Sequence, residues 1–193
     1  LSNPPSSLKG LVEDAKVTII IQDPRTATPG LGLLLWVKSV YGKDAKGAWE
    51  KLSDKIVTTT KGWWDAYSLF LNGEADMVLS YSTSPAYHMI AEDRKNYKAA
   101  QFEEGHYTQI EVAGLLKSSN NKDLAREFLH FILTDDFQSI IPTTNWMYTV
   151  TNTEQPPEFN ELIKPKNAFL FSSEEVKNNR KLWVDEWLEA LTK

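Results

Sequence analysis

The feature that most constrains this fold is a short apolar, β-branched run at residues 17–21, followed by a polar loop and then by a helical pattern. Such a run suits a strand that is covered on both faces. The order strand, loop, helix recurs twice: residues 56–59 precede a helix over 63–72, and residues 77–81 precede a helix that begins near Pro85. This alternation predicts an α/β layered sheet, in which ligands bind beyond the carboxyl ends of the strands.

The rest of the chain adds helices and one further strand. Ser6 and Ser7 offer caps to a short helix before the first strand, and residues 45–52 form another helix. A strand that connects two lobes is predicted where Ile110, Val112 and Leu116 recur at spacings of two and four. Two later stretches have one apolar stripe each, which predicts helices packed on a core. The stripes are Leu124, Phe128, Leu129, Ile132 and Leu133, and then Trp183, Val184, Trp187, Leu188 and Leu191.

Composition excludes several classes of function. The net charge of -5 comes from 26 acidic and 21 basic residues scattered along the chain, so no basic stripe is available for nucleic acid. The absence of cysteine excludes disulfides, thiolate metal sites and thiol catalysis. His88, His106 and His130 lie too far apart for a histidine metal motif, and no nucleophile elbow is present. We therefore predict no catalytic residue, no metal and no cofactor.

The loop at residues 26–30, Thr-Ala-Thr-Pro-Gly, leads into a helix. Unpaired backbone N–H groups and the positive end of the helix dipole make such a start an anion site, to which threonine hydroxyls add donors. The motif is not a P-loop, because the Gly-Lys-Ser/Thr ending is absent. The alternative is purely structural: Thr28 caps the helix and Pro29 begins it.

Aromatic residues surround the other two loops. Trp63 and Trp64 follow Gly62, and Tyr81 and Tyr87 bracket the third loop. Residues 145–148, Asn-Trp-Met-Tyr, form a further aromatic group outside the helical stripes. Rings at loop mouths suit a flat, cationic ligand. The alternative is that these rings belong to the core, which we expect of four tryptophans at helical spacing: Trp36, Trp49, Trp183 and Trp187.

At this point a family resemblance becomes visible. The stretch 22–36, from Gln-Asp-Pro-Arg-Thr-Ala-Thr-Pro-Gly to the Trp at its end, resembles the thiamine-binding periplasmic proteins. The likeness continues over nearly the whole chain, at residues 60–63, 79–81, 83–88, 104–107, 141–143 and 145–148. It implies a type II periplasmic-binding-protein fold, a bilobed Venus flytrap whose lobe has three layers, with a mixed sheet and flanking helices. It also implies a periplasmic protein that delivers thiamine, or its mono- and diphosphates, to the membrane permease of an ABC transporter.

The resemblance also implies roles for particular residues. Four side chains line the aromatic rings of the vitamin: Trp63, Tyr81, Tyr87 and Trp146. The hydroxyethyl or phosphate end meets four others: Thr26, Ala27, Thr28 and Gly62. Where this chain has Ala27 the family often has serine, so one hydroxyl donor is lost and phosphate recognition depends more on backbone N–H groups.

The expected domain organisation follows from the same likeness. Residues 1–106 form the α/β ligand-binding lobe, 107–141 are a hinge strand and helices that belong to the other lobe in relatives, and 142–193 return to the first lobe. The family's amino-terminal lobe segment is missing here, and the Pro-Pro start suggests a longer precursor with its export signal upstream. We expect this fragment to bind thiamine weakly, to expose apolar surface on residues 107–141, and to self-associate.

Two other interpretations remain open. The first is a periplasmic receptor for iron, a polyamine or a phosphonate, since receptors for these ligands share the fold. Iron-binding relatives use adjacent tyrosines, whereas five residues separate Tyr81 from Tyr87. The second is an enzyme that acts on a phosphorylated substrate at the Thr26 loop. Thiamine monophosphate that quenches tryptophan fluorescence and stays intact would favour the receptor over the enzyme.

Overall fold

The computed structural model describes residues 1–14 and 16–192. The helices are α1 (Leu8–Glu13), α2 (Thr28–Tyr41), α3 (Ala45–Ser53), α4 (Trp63–Leu71), α5 (Ser84–Ala91), α6 (Lys122–Phe131), α7 (Asp135–Gln138), α8 (Ile141–Thr144) and α9 (Ser173–Leu191). The strands are β1 (Ile19–Gln22), β2 (Ile56–Thr60), β3 (Met77–Val78), β4 (His106–Tyr107) and β5 (Ala168–Phe169). Among these described helices, none combines the length and apolar character that a membrane span requires.

The chain folds into two compact units. The first consists of Leu1–Tyr81, Ala100–Gln109 and Lys164–Lys193, and the second of Ser82–Ala99 and Ile110–Ile163. The predicted division, with boundaries at 106 and 141, differs from this one. The structure groups α5 with the later segment because Ala86 of α5 is buried against Phe159 and Leu162. The chain therefore passes between the units four times.

The first unit is built around a parallel sheet in the order β2-β1-β3. Strand β1 is buried along its whole length, as its run of isoleucines predicts. Ile19 and Ile21 belong to the main core, while the side chain of Ile20 points to the opposite face and is also fully buried. A second sheet pairs β4 with β5, and each strand pair that the structure describes is parallel.

Helices cover both faces of the sheet in the first unit. Helix α4 packs against all three strands, whereas α1, α2, α3 and α9 pack together over the main core. Ser7 caps α1 by accepting a hydrogen bond from the Gly10 N–H at 2.8 Å, as predicted. Three of the expected core tryptophans are buried: Trp49, Trp183 and Trp187. Trp36 is half-buried, and its indole N–H donates to the Gly105 carbonyl at 3.0 Å.

The second unit has far less core. Its buried hydrophobic residues are Ala86, Phe159 and Leu162. The prediction that α6 packs its stripe on a core is wrong for this chain, because none of its ten residues, all of them described, is buried. The predicted strand through Ile110, Val112 and Leu116 is also wrong, since the described residues 108–116 lack regular structure. Several large side chains are exposed here: Ile110, Val112, Leu116, Leu124, Phe128, Phe131, Leu133 and Ile140.

Candidate functional site

The loop after β1 is organised by Asp23. Its backbone carbonyl accepts the N–H groups of Thr26 at 3.2 Å and Ala27 at 3.0 Å, and its carboxylate accepts the N–H of Arg25 at 2.8 Å. An aspartate side chain that accepts the N–H two residues later in the chain forms an Asx turn. The loop is thereby fixed in one conformation where β1 ends and α2 begins.

The two threonines of this loop have different surroundings. The Thr26 hydroxyl donates to the Lys61 carbonyl at 2.8 Å, which ties the loop after β1 to the loop after β2. Thr28 is exposed and is the first residue of α2, so it does not cap the helix. Ala27 occupies the cap position, where its side chain can make no hydrogen bond. The structural alternative for Thr28 is therefore wrong, and the predicted helix start lies one residue too late.

The start of α2 presses closely against the end of β1. A Cβ added at Gly30 would lie 2.4 Å from the Gln22 carbonyl oxygen and 2.7 Å from the Asp23 carbonyl. The first hydrogen bond of the helix runs from the Leu31 N–H to the Ala27 carbonyl at 3.0 Å. The N–H groups of Thr28 and Gly30 therefore stand at the open end of α2, as donors that the helix itself does not use.

An ion pair beside this loop remains charged at neutral pH. The Arg25 guanidinium donates to both oxygens of the nearly buried Asp23 carboxylate and thereby lowers the pKa of Asp23, against the effect of burial. Arg25 also lies over the ring of Trp187, 5.8 Å from its centroid. Sequence reasoning missed Asp23, although an aspartate followed by proline is a turn signal.

The second loop ends at Gly62, the cap residue of α4. Its backbone is extended, and an added Cβ would meet the Asp65 carboxylate at 3.6 Å, which is ordinary contact. The fold at this position therefore tolerates a larger residue. The Gly62 carbonyl accepts the Thr60 hydroxyl at 2.7 Å, which closes the turn between β2 and α4.

Aromatic side chains gather at the start of α4 in a group that we call the Trp63 cluster: Trp63, Trp64, Tyr67 and Tyr81. The Trp63 ring stacks on Tyr67 with centroids 4.7 Å apart, and the Tyr81 ring lies 6.4 Å away. The Trp63 indole N–H donates to the Ser80 hydroxyl at 2.8 Å. These contacts fix the orientation of Trp63 while leaving its ring half-exposed. Tyr67 and Ser80 were not identified from the sequence, because their part depends on the packing of α4 over the strands.

The second unit contains its own aromatic pair. Tyr87 of α5 meets Trp146 edge to face, with centroids 5.2 Å apart. Trp146 follows α8 with a φ of 57°, a left-handed conformation that costs about 1–2 kcal/mol for a residue other than glycine. The Trp146 N–H donates to the Ile141 carbonyl at 3.1 Å, which ends the helix.

The structure divides the predicted site residues between the two units. The first unit contains Thr26, Ala27, Thr28, Gly62, Trp63 and Tyr81. The second unit holds Tyr87 and Trp146. Within the part of the chain that the structure describes, no group of three acidic or histidine side chains is arranged to bind a metal ion.

Comparisons with known proteins identify what this chain resembles. The family model described as bacterial extracellular solute-binding protein matches residues 2–143. A thiamine-binding periplasmic protein of Escherichia coli strain K12 is 54% identical over 100% of this chain. The protein of that name from Salmonella typhimurium is 53% identical over the same share, and the one from Haemophilus influenzae is 43% identical. The chain spans about 59% of the length of the first two.

Solved structures agree with these sequence matches. A periplasmic thiamin binding protein superposes with a TM-score of 0.97 at 54% identity, and the match covers 100% of this chain and 61% of that one. A ferric binding protein from Campylobacter jejuni superposes with a TM-score of 0.69 at 20% identity, over 96% of this chain and 62% of that one. The second likeness supports the fold alone.

Proposed function

This chain belongs to the family of bacterial extracellular solute-binding proteins, and from that premise we propose that it takes part in binding thiamine in the periplasm. The names of the relatives at 43–54% identity support this ligand. Delivery to the permease of an ABC transporter follows from the same proposal, and the chain then acts as a receptor without catalysis. The Trp63 cluster is the observation on which the choice of ligand chiefly depends.

Thiamine combines flat heterocycles with a fixed positive charge, and the Trp63 cluster suits both properties. A cation over an indole face gains about 0.5–2 kcal/mol, and more when water is excluded. Trp63 is held by the Tyr67 stack and by the hydrogen bond to Ser80, so little ordering is left for the ligand to impose. Tyr81 adds a second ring beside it.

The oxygen-bearing arm of the ligand is assigned to the start of α2. The Thr28 hydroxyl is exposed and the N–H groups of Thr28 and Gly30 are free of helical bonds, so they can donate to a hydroxyl or a phosphate. The Thr26 hydroxyl already donates its proton to the Lys61 carbonyl, so we assign Thr26 the role of holding the loop in place. We assign Gly62 the role of letting the ligand approach the backbone closely. The Tyr87–Trp146 pair is proposed as a further aromatic contact for the same vitamin.

The test compares two neighbouring tryptophans. Trp64 has 65% of its surface exposed, whereas Trp63 is stacked and hydrogen-bonded. We expect Trp63→Ala to weaken thiamine binding about tenfold, the loss of one ring–cation contact, and Trp64→Ala to weaken it less than about threefold. Calorimetric titration to millimolar thiamine measures both, and circular dichroism checks that each variant is folded.

Three outcomes decide the proposal. Binding by the native chain with loss in Trp63→Ala alone supports it. No loss in Trp63→Ala would remove the Trp63 cluster from the site, and no heat of binding to the native chain would contradict the ligand itself. Thiamine monophosphate is added in parallel, and its release of phosphate would show an enzyme in place of a receptor.

Ala27 allows a gain-of-function test at the other end of the ligand. A serine at a helix cap stabilises its helix by about 0.5–2 kcal/mol relative to alanine, and it adds a hydroxyl at the start of α2. We expect Ala27→Ser to raise the stability of the chain and to strengthen binding of thiamine monophosphate more than that of thiamine. An equal change in affinity for both ligands would show that the phosphate does not bind at this loop.

A further inference from the structure

A fully buried histidine lies beside the aromatic pair of the second unit. His88 of α5 has no exposed surface, and its Nδ1 lies 2.7 Å from a Glu92 carboxylate oxygen. The hydrogen bond from His88 is the largest influence on Glu92 and lowers the pKa of that carboxyl. Because an ionised carboxylate only accepts hydrogen bonds, the proton of this contact belongs to the histidine Nδ1.

The histidine ring is held on more than one side. Tyr97 stacks on it with centroids 3.9 Å apart, and the Tyr97 hydroxyl accepts a bond from Arg94 at 3.2 Å. Arg94 also lies 3.6 Å from the Glu92 carboxylate, and its N–H donates to the His88 carbonyl at 2.9 Å. The Glu92 side chain is therefore fixed by two neighbours, although it remains partly exposed.

This arrangement connects directly to Tyr87. The His88 ring meets the Tyr87 ring edge to face, with centroids 5.1 Å apart. Tyr87 in turn meets Trp146 edge to face. A tyrosine with 37% of its surface exposed otherwise has freedom to rotate away, and these contacts remove that freedom.

We propose that His88 and Glu92 are positioning residues that hold the Tyr87 ring against Trp146 in the orientation that the ligand requires, a role that rests on the proposed binding of thiamine. The ligand does not touch them. Glu92 fixes the His88 ring through the hydrogen bond at Nδ1, and the His88 ring in turn packs against the Tyr87 ring.

A double-mutant cycle separates positioning from general stability. Glu92→Ala is expected to weaken thiamine binding about fivefold, the worth of one hydrogen bond. In the Tyr87→Ala background the same change is expected to have less than about a twofold effect, because the ring on which Glu92 acts through His88 is already gone. Glu92→Gln keeps an acceptor oxygen and is expected to retain most of the affinity. The matched control is Glu161→Ala, which removes an ion-paired carboxylate of the same unit, 2.8 Å from Lys95.

A measurement without ligand keeps this inference distinct from the proposed function. The Tyr87 and Trp146 rings meet edge to face, so their ring currents shift the NMR signals of the Trp146 ring. Glu92→Ala is expected to move those signals and Glu161→Ala to leave them in place. If the native chain does not bind thiamine, the proposed function fails, and the NMR shift still decides the positioning role. A Trp146 signal unchanged in Glu92→Ala, or equal losses of affinity in both backgrounds, would overturn it.

Discussion

The two units of the chain differ in how much of their apolar surface they cover. In the first, strand β1 and helices α1, α2, α3 and α9 enclose a continuous core that includes Trp49, Leu52 and Trp187. In the second, three buried hydrophobic residues form the core, while Leu124, Phe128 and Phe131 of α6 lie exposed. Both stretches have amphipathic patterns in the sequence, but among the described residues only the first set is buried.

That difference indicates whether each unit covers its own apolar side chains. The first unit buries its apolar side chains within itself, so the loop at Asp23 and the Trp63 cluster rest on a packed support. The exposed side chains of α6 form a contiguous group, since Phe128 and Phe131 both contact Phe137. Exposed apolar groups of this kind mark a contact surface. A pattern in the sequence therefore shows that a helix has an apolar face without showing what covers it.

The largest expected effect comes from deleting the same side chain in each unit. Leu52 of α3 has 0% of its surface exposed, whereas Leu124 of α6 has 65% exposed. Leu52→Ala is expected to lower the free energy of unfolding by about 2–5 kcal/mol, through lost burial and the cavity left behind. Leu124→Ala is expected to change it by less than about 0.5 kcal/mol. Urea unfolding measures both, and similar losses would show that α6 is covered in solution.

Glycine substitutions test the packing of the backbone in the same way. Gly30→Ala places a Cβ against the Gln22 carbonyl oxygen and is expected to cost about 1–3 kcal/mol, as overpacked sites do. Apart from the glycine itself and its two chain neighbours, no heavy atom among the described residues lies within 4 Å of a Cβ added at Gly114 in the second unit. Gly114→Ala is expected to be neutral or to stabilise by up to about 1 kcal/mol. Thermal unfolding compares the two, and a tolerated alanine at position 30 would contradict the close approach of α2 to β1.

The exposed surface of α6 is expected to make the chain self-associate. Replacing the half-exposed Phe128 by serine removes one apolar contact and is expected to weaken association about tenfold. Leu182→Ser is the matched control, because Leu182 is similarly exposed but belongs to α9 of the first unit. Light scattering over a range of concentrations measures the effect. A monomeric native chain, or an equal response to both variants, would show that α6 is not the contact surface.

The smallest expected effect concerns tyrosine hydroxyls. Burial raises the pKa of Tyr41 to about 12, and among the described residues its hydroxyl has no hydrogen-bond partner. Tyr41→Phe is expected to stabilise the chain by up to about 1 kcal/mol at neutral pH. Because the folded-state pKa lies above the ordinary value of 10.0, native stability falls as pH rises from 10.0 to about 12, and the variant loses this part of the fall.

Tyr148 of the second unit is the comparison for Tyr41. Burial also raises the pKa of Tyr148, but a larger part of its side chain is exposed to water. Tyr148→Phe is therefore expected to produce a smaller change in the alkaline unfolding curve. A larger change than that of Tyr41→Phe would mean that the second unit is more tightly packed than its exposed surface indicates.

Much of the first unit was predictable from local patterns. The β-branched run gave β1, the predicted helix over 63–72 matches α4, and Ser7 caps α1 as expected. Strand β3 is shorter than predicted, because only Met77 and Val78 pair with β1. The contacts of Ser80 and Tyr67 with Trp63 were not predictable, since they join residues from different elements.

The sequence by itself determined the order of elements from α1 to α5, the buried character of β1 and the positions of the loops that precede α2 and α4, because these depend on periodicity, β-branching and turn chemistry within a few residues. Only the tertiary structure decided that α5 joins the second unit, that Tyr87 meets Trp146, and that α6 lies uncovered. Each of these depends on partners distant in the chain. The burial of a side chain is a property of what packs against it, which a local pattern cannot contain.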